Sequence, residues 1–416
     1  MSFTIRTDRS LIRAGARSTR HVLVRVSAPE ANARATRLPV NVALVLDRSG
    51  SMSDERKFTL AREAVEQALR MLRPEDRFSL VVYDTDIDVL TRSTSATPDA
   101  KRRALAALSE IGPRGGTDLG GGWLRGCEQV ADHVRDEAVS RCLLLTDGLA
   151  NHGITDRDEL AMHAAELRRR GVVTSTFGVG ADFDERLLRD MAHEGGGNFY
   201  FIEGASQIPT LLTGELGEAL QVTMRNAVVE LTLPEGAEAR PLNRFRHHLT
   251  PSGGELRVEL GDLAAEQEMS VVVRVEFPRG EPGRSQTASV RLSGSSPIEM
   301  MWTYAGHDEN DRQPRDLEVD REVAALHAAL ARAEATEANR AGDYQRAQRL
   351  LESTAQRIGS YAGNDSQLAD IAGGLRESVP QFCAAPMPAS AMKRALFAAE
   401  TVTKSRGLGG LMRKKK

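Results

Sequence analysis

Between residues 38 and 220, short apolar runs alternate with stretches of helical periodicity. VNVALVLD (40–47), RFSLVVYD (77–84), RCLLLTD (141–147), VVTSTFGVG (172–180) and NFYFIEG (198–204) are apolar runs bounded by turn residues. Such runs are the pattern of strands buried on both faces of a parallel sheet. Helical patterns fall at 55–72, 99–111, 119–137, 156–170, 184–194 and 206–220; in the first, Leu60, Ala64, Ala68 and Met71 share a face and belong to the core. Strands alternating with helices predict an α/β domain, a parallel sheet covered on both sides. DIDVLTRS (86–93) follows a turn at Asp84–Asp86 and predicts an antiparallel edge strand.

The flanks have a different period. SFTIRTD and HVLVRVSAP near the start alternate, with Val22, Val24 and Val26 on one face. MRNAVVELTLP, GELRVELGDL, EMSVVVRVEFP and TASVRLSG do the same after Gln221, between Gly, Pro and Ser turns. We read residues 1–37 and 221–306 as one antiparallel β-sandwich, with the α/β domain of 38–220 inserted between its strands; EANARATRLP is the polar linker into that domain. A charged linker at 307–316 leads to an α-helical region at 317–405, rich in Ala, Glu and Arg, with Gly342 and Asp343 as a helix–helix turn. Residues 406–416 read as a flexible basic tail.

Composition narrows the function. A chain of 416 residues exceeds one ordinary domain. Its net charge of −3 and 4% aromatic content argue against a nucleic-acid surface, which needs positive charge and stacking platforms. Cys127, Cys142 and Cys383 are far apart with no CxxC, the usage of reduced thiols in a cytoplasmic protein. The first residues carry no apolar signal region, and no run reaches the length of a membrane span. His133, His152, His163 and His193 have no paired ligand spacing, and His247 and His248 sit on an expected turn, so no zinc pattern forms. P-loop, G-x-S-x-G and Cys–His constellations are missing too.

The chemistry concentrates where the first buried run ends. In VNVALVLDRSGSMSD, Asp47, Ser49 and Ser51 are spaced D-x-S-x-S, and Gly50 permits a tight turn. One carboxylate and two hydroxyls at the carboxyl end of a parallel strand make an all-oxygen corner suited to a hard divalent cation, Mg²⁺, Mn²⁺ or Ca²⁺. Further ligands can come from Thr117 in RGGTDLGGG and Asp147 in LLLTDG.

This order of D-x-S-x-S, a threonine in GGTD and an aspartate in TDG resembles the metal-ion-dependent adhesion site of the von Willebrand factor type A (VWA) family, in its bacterial cytosolic form. The likeness spans about residues 38–215 and matches at Asp47, Ser49, Ser51, Thr117 and Asp147. It implies a Rossmann-like domain in which the serine hydroxyls touch the ion, the threonine binds when a ligand engages, and one or both aspartates act through water. It further implies a non-enzymatic scaffold or adaptor whose metal, Mg²⁺ or a similar ion, captures an Asp or Glu of a protein partner. Gly116 and Asp118 are then candidate partner contacts, although Asp118 also reads as a helix cap. Loop movement and close backbone packing account equally well for Gly115, Gly116 and Gly120–Gly122. Asp54, Glu55 and Lys57 read as the first turn of a helix, the acids complementing its dipole. Leu408, Leu411 and Met412 beside the basic end of the tail are candidate anchors of a docking peptide, the alternative being plain solvated charge. Two other readings compete. A metal-dependent hydrolase would need a base, for which only Asp118 and Asp54 offer themselves; a regulator of a membrane channel, as in some relatives, would need a signal or a span.

Overall fold

The computed structural model describes residues 2–31, 37–250 and 253–414, without the side chain of Leu408. It divides the chain into two units, Ala31–Val222 and Met1–Glu30 together with Thr223–Lys416. Residues 32–36 of the expected linker at 30–39 lie outside the described residues, as do Lys415 and Lys416.

The chain opens with three strands of the second unit, β1 (Ser2–Thr7), β2 (Leu11–Arg13) and β3 (Ser18–Ser27). The α/β unit follows as β4 (Val40–Asp47), α1 (Lys57–Met71), β5 (Arg77–Tyr83), β6 (Ile87–Ser95), α2 (Pro98–Ser109), α3 (Leu119–Ala131), β7 (Val139–Thr146), α4 (Arg157–Arg169), β8 (Val173–Val179), α5 (Glu185–Glu194), β9 (Gly196–Ile202) and α6 (Ile208–Ala219). Its sheet runs in the order β6-β5-β4-β7-β8-β9. All pairs are parallel except β5–β6, the antiparallel edge. Every residue of β4 and β7 is buried, which is why their sequences lack alternation. Helix starts follow their caps: Thr97 before Pro98, Asp118, Asp156 and Asp184 each accept a backbone N–H of the turn they open.

From β4 the chain crosses to β5 on one side and later returns to β7 on the other. The crevice between the carboxyl ends of β4 and β7 is therefore the switch point of the sheet. Helix α3 lies directly over it. Gly122 and Gly126 allow this: a Cβ at Gly122 would stand 2.4 Å from the Tyr83 ring, and one at Gly126 2.2 Å from Val45 Cγ2. Gly120–Gly122 thus belong to α3 and serve close packing. The helix expected over 119–137 stops at Ala131, before the charged run Asp132–Glu137.

The other unit continues with β10 (Val222–Thr232), β11 (Glu238–Pro241), β12 (Arg246–Leu249), β13 (Glu255–Ala264), β14 (Glu268–Phe277), β15 (Ser285–Leu292) and β16 (Ile298–Ala305). Two sheets form, β1-β3-β14-β11 and β12-β13-β10-β15-β16-β2. One apolar cluster joins them, from Val22, Val24 and Val26 to Val229, Leu256, Val273 and Trp302. β1–β3, β3–β14, β11–β14, β12–β13, β10–β15 and β15–β16 pair antiparallel, but β2–β16 is parallel, so the arrangement is not the wholly antiparallel one expected. His247 and His248 lie on the exposed edge strand β12 rather than on a turn; its polar sequence hides it from pattern reading.

Five helices complete the chain: α7 (His307–Arg312), within the stretch expected to be a linker, α8 (Leu317–Arg340), α9 (Tyr344–Ala362), α10 (Ser366–Cys383) and α11 (Ala389–Thr403). Gly342, at φ 77°, and the N-cap Asp343 turn α8 into α9. Helix α8 covers the outer face of β3 and β14 through Val319, Val323 and Leu326 against Leu23 and Val272. The tail corrects the expectation of a flexible end. Glu268 N donates to Arg413 O at 2.9 Å, Lys414 bridges Gln267, and Gly407 N donates to Leu411 O at 2.7 Å. The start of β14 and the residue before it, Gln267, hold the tail through this one isolated bridge. Leu411 and Met412 are half-buried in this arrangement.

Candidate functional site

Four segments converge on the switch point. The carboxyl end of β4 delivers Asp47, which is fully buried. Its Oδ1 accepts from Ser49 N at 2.7 Å, closing the turn that aims both serines back over the strand. Its Oδ2 accepts from Thr146 Oγ1 at 2.6 Å, tying it to the end of β7. Asp147 follows directly. Ser51 Oγ donates to Asp147 Oδ1 at 2.7 Å, and Ser49 Oγ lies 3.2 Å from Ser51 Oγ. Thr117 arrives on the loop before α3, buried, its N–H donating to Asn151 Oδ1 at 2.9 Å and its carbonyl accepting from Asn151 N and His152 N. A Cβ placed on Gly148 would be 3.4 Å from Thr117 Oγ1 and 3.9 Å from Ser51 Oγ, so both hydroxyls face one small space.

The structure therefore brings Asp47, Ser49, Ser51, Thr117 and Asp147 together. Gly116 sits beside them, where a Cβ would meet the His152 ring at 2.8 Å. Asp118 caps α3 through Gly121 N at 2.9 Å. Leu411 and Met412 are on the other unit, and Leu408 falls among the undescribed side chains.

Residues that the sequence reading overlooked hold the rim. Asp84 Oδ2 is 2.8 Å from both Arg48 Nε and Arg114 Nε, while Arg48 Nη2 reaches Asp88 at 2.5 Å. The Asp84 carbonyl accepts from Asp118 N at 2.7 Å and its Oδ1 from Asp86 N at 2.7 Å. Burial works to raise the Asp84 carboxyl, but the Asp86 amide and the two guanidiniums outweigh it and hold it below the ordinary carboxylate value. Asp84 follows a buried run just as Asp47 and Asp147 do, the one signal that could have found it. Lys57 was also misread. Glu55 and Arg56 are left-handed, at φ 49° and 60°, so α1 begins only at Lys57 and the acids Asp54 and Glu55 precede it. The Lys57 Nζ donates to Asp147 Oδ2 at 2.8 Å.

Asp47 has the opposite surroundings. Among the described residues no Lys, Arg or His pairs with it, and burial pushes its carboxyl up to about 6 despite the Thr146 and Ser49 hydrogen bonds. A buried carboxylate without a counter-charge, facing a cluster of hydroxyls, is a site that a cation would complete. No group of three or more His, Cys, Asp or Glu positioned for a metal occurs among the described residues, so the donors here are oxygen and largely neutral. That set fits a hard ion better than a soft one.

The von Willebrand factor type A domain model matches residues 41–213. Residues 41–213 are a VWA domain. The chain is 26% identical over 236 residues to the uncharacterized protein YfbK of Escherichia coli, covering 56% of this chain and 41% of that one. It is 30% identical over 206 residues to inter-alpha-trypsin inhibitor heavy chain H3 of Rattus norvegicus, covering 48% of this chain and 23% of that one. The chain thus spans less than half the length of either relative. A solved von Willebrand factor type A protein from Catenulispora acidiphila has the same fold over 91% of this chain and 88% of its own, with a TM-score of 0.70 at 19% identity. The VWA match places the switch-point crevice at the carboxyl ends of β4 and β7 within the family domain. Among the described residues no helix is long and apolar enough to cross a membrane.

Proposed function

We propose that the VWA domain is a metal-dependent protein–protein interaction module, without catalytic activity, that docks an Asp or Glu of a partner onto a divalent cation. Ser49, Ser51 and Thr117 would hold the ion through their hydroxyls, with Asp47 and Asp147 behind them. Mg²⁺ is the ion we favour, because the donors are all oxygen and mostly uncharged. The observation that carries the reading is Asp47, buried beside those hydroxyls without a basic partner. An ion held by few charged ligands keeps excess positive charge, and an outside carboxylate completes it. The site opens outward, as Gly50 and Ser51 are exposed and Leu149, two residues after Asp147, is 55% exposed.

A hydrolytic use of the same ion has less support. Asp118 is engaged as the cap of α3, and Asp54 lies in the exposed turn before α1. The two-sheet unit, built from chain on both sides of the VWA domain, and the helices α8–α11 would serve as the scaffold presenting it. We place this work in the cytoplasm, in keeping with three free cysteines.

The test is Mn²⁺ and Mg²⁺ titration by calorimetry of the wild type, Asp47→Ala and Thr117→Ala, followed by partner capture in Mg²⁺ or EDTA. Metal uptake lost in Asp47→Ala, and partner retention lost with both EDTA and Asp47→Ala, are the expected outcomes. A wild type that takes up no divalent ion would end the proposal.

A further inference from the structure

The position of Lys57 is costly by two separate criteria. It is the first residue of α1, where the helix dipole disfavours a cation, and it is 8% exposed. It arrives there through two consecutive left-handed non-glycine residues, Glu55 and Arg56. Its ammonium lies over the end of β8, 3.8 Å from where a Gly180 Cβ would be, and against Asp147 Oδ2. Asp147 is thereby divided: one oxygen faces Ser51 and the hydroxyl cluster, the other is neutralised by a built-in cation.

We infer that Lys57 sets the charge balance of the metal site, weakening its hold on the bare ion while keeping the loaded site cationic enough to capture a carboxylate. The inference rests on the reading of the site as metal-binding. Of the charged groups, Asp47 and Asp147 reach the serine hydroxyls and turn, and Lys57 pairs with Asp147, so these three together leave one negative charge. A divalent ion turns that into one positive charge; without Lys57 the same ion would leave the site neutral. The incoming group is then attracted as an anion, and carboxylates are preferred to the amides of Asn and Gln. Lys57 does this from behind Asp147. It is a positioning and tuning residue rather than a ligand.

Lys57→Met keeps the stem and deletes the charge, while Lys57→Arg keeps the charge. Mn²⁺ affinity is measured by calorimetry at low ionic strength, and acetate binding to the Mn²⁺-loaded protein by relaxation of the acetate methyl protons. Lys57→Met is expected to bind Mn²⁺ about tenfold more tightly and acetate about tenfold more weakly. Lys57→Arg is expected to stay near the wild type in both. Opposite movement of the two affinities is the signature, since a merely structural role for Lys57 would weaken both together. Mn²⁺ affinity that is unchanged or reduced in Lys57→Met, with its circular dichroism and α1 intact, overturns the inference while leaving the metal site standing. A partly unfolded Lys57→Met would be assessed by whether Mn²⁺ raises its melting temperature more than the wild type's; a smaller rise also overturns it. No Mn²⁺ uptake by the wild type defeats the metal reading itself.

Discussion

Placing alanine at Gly126 tests whether the contact between α3 and β4 sets the height of the whole site. The added Cβ would stand 2.2 Å from Val45 Cγ2, with Cys142 Sγ and Ala43 Cβ at 3.5 and 3.6 Å behind it. Carbon atoms rest roughly 3.5–4.0 Å apart, so the clash must be relieved by about 1.3–1.8 Å. Val45 cannot swing away, being β-branched, fully buried and two residues before Asp47. Helix α3 must therefore lift and carry Thr117 with it. Overpacking of this kind costs about 1–3 kcal/mol, and a helical Gly→Ala change returns up to about 1 kcal/mol. With so short a contact we expect Gly126→Ala to lose about 2 kcal/mol. Gly373 in α10 is the control, since nothing lies within 4 Å of its added Cβ. Gly373→Ala should gain up to about 1 kcal/mol. Urea unfolding followed by fluorescence separates the two units: Trp123 lies in α3 and Trp302 in β16, and Trp302→Phe leaves the first alone. Val45→Ala alone should cost about 2 kcal/mol, but combined with Gly126→Ala the losses should fall short of their sum by about 1 kcal/mol or more. Strict additivity, or equal effects at Gly126 and Gly373, would refute the packing argument.

Other parts of the chain yield predictions of their own. His21 and His327 meet edge to face with centroids 6.2 Å apart, and burial, reinforced by Arg274, lowers both from 6.5 to about 4. Arg9, Arg315 and Asp320 also act on His21, and Arg240 and Arg357 on His327. Between pH 6.5 and 4 the unfolded chain binds the more protons, so stability is lost as pH falls through that window, on the order of 3 kcal/mol per ring. His327→Gln should flatten the pH dependence of urea midpoints below 6.5, and an unchanged slope would count against it. Arg56→Gly relieves a left-handed residue whose side chain is 73% exposed and should raise the midpoint by about 1 kcal/mol; a loss would show that Arg56 does more than link the turn. Deleting residues 407–416 removes the acceptor for Glu268 N and should cost about 1–2 kcal/mol, read as faster amide exchange at Glu268; unaltered exchange would deny the tail its place on the sheet.

The α/β alternation was legible because burial on both faces leaves β4 and β7 without polar interruptions, and their ends carry Asp47 and Asp147. The five clustered side chains were legible because each stands next to a strand end or a glycine loop, which sequence shows directly. What escaped depends on contacts between segments distant in the chain. Lys57 looked like one of several charges opening a helix, because nothing local announces that Glu55 and Arg56 turn left-handed and delay α1. Asp84 read as the start of a turn, and nothing in the sequence singled out Arg48, until the fold set them 2.8 Å apart. The short strands β11 and β12 and the tail pairing carry polar sequence, since edges face water on one side.

The arrangement around Asp84 has a kinetic meaning. Its carboxylate and carbonyl secure the amide of Asp86 in the β5–β6 hairpin, the guanidinium of Arg48 in the turn after β4, and Arg114 and the amide of Asp118 on either side of Thr117. Three loops share this buried anchor, and they are also tied to one another by Arg114 N to Arg48 O, Gly50 N to Gly115 O and Gly116 N to Thr85 Oγ1. Loops linked in this way form one unit, and the protected amides of the rim are expected to exchange at similar rates. The stiffness of the crevice's rim thus depends on a residue that is itself buried, Asp84.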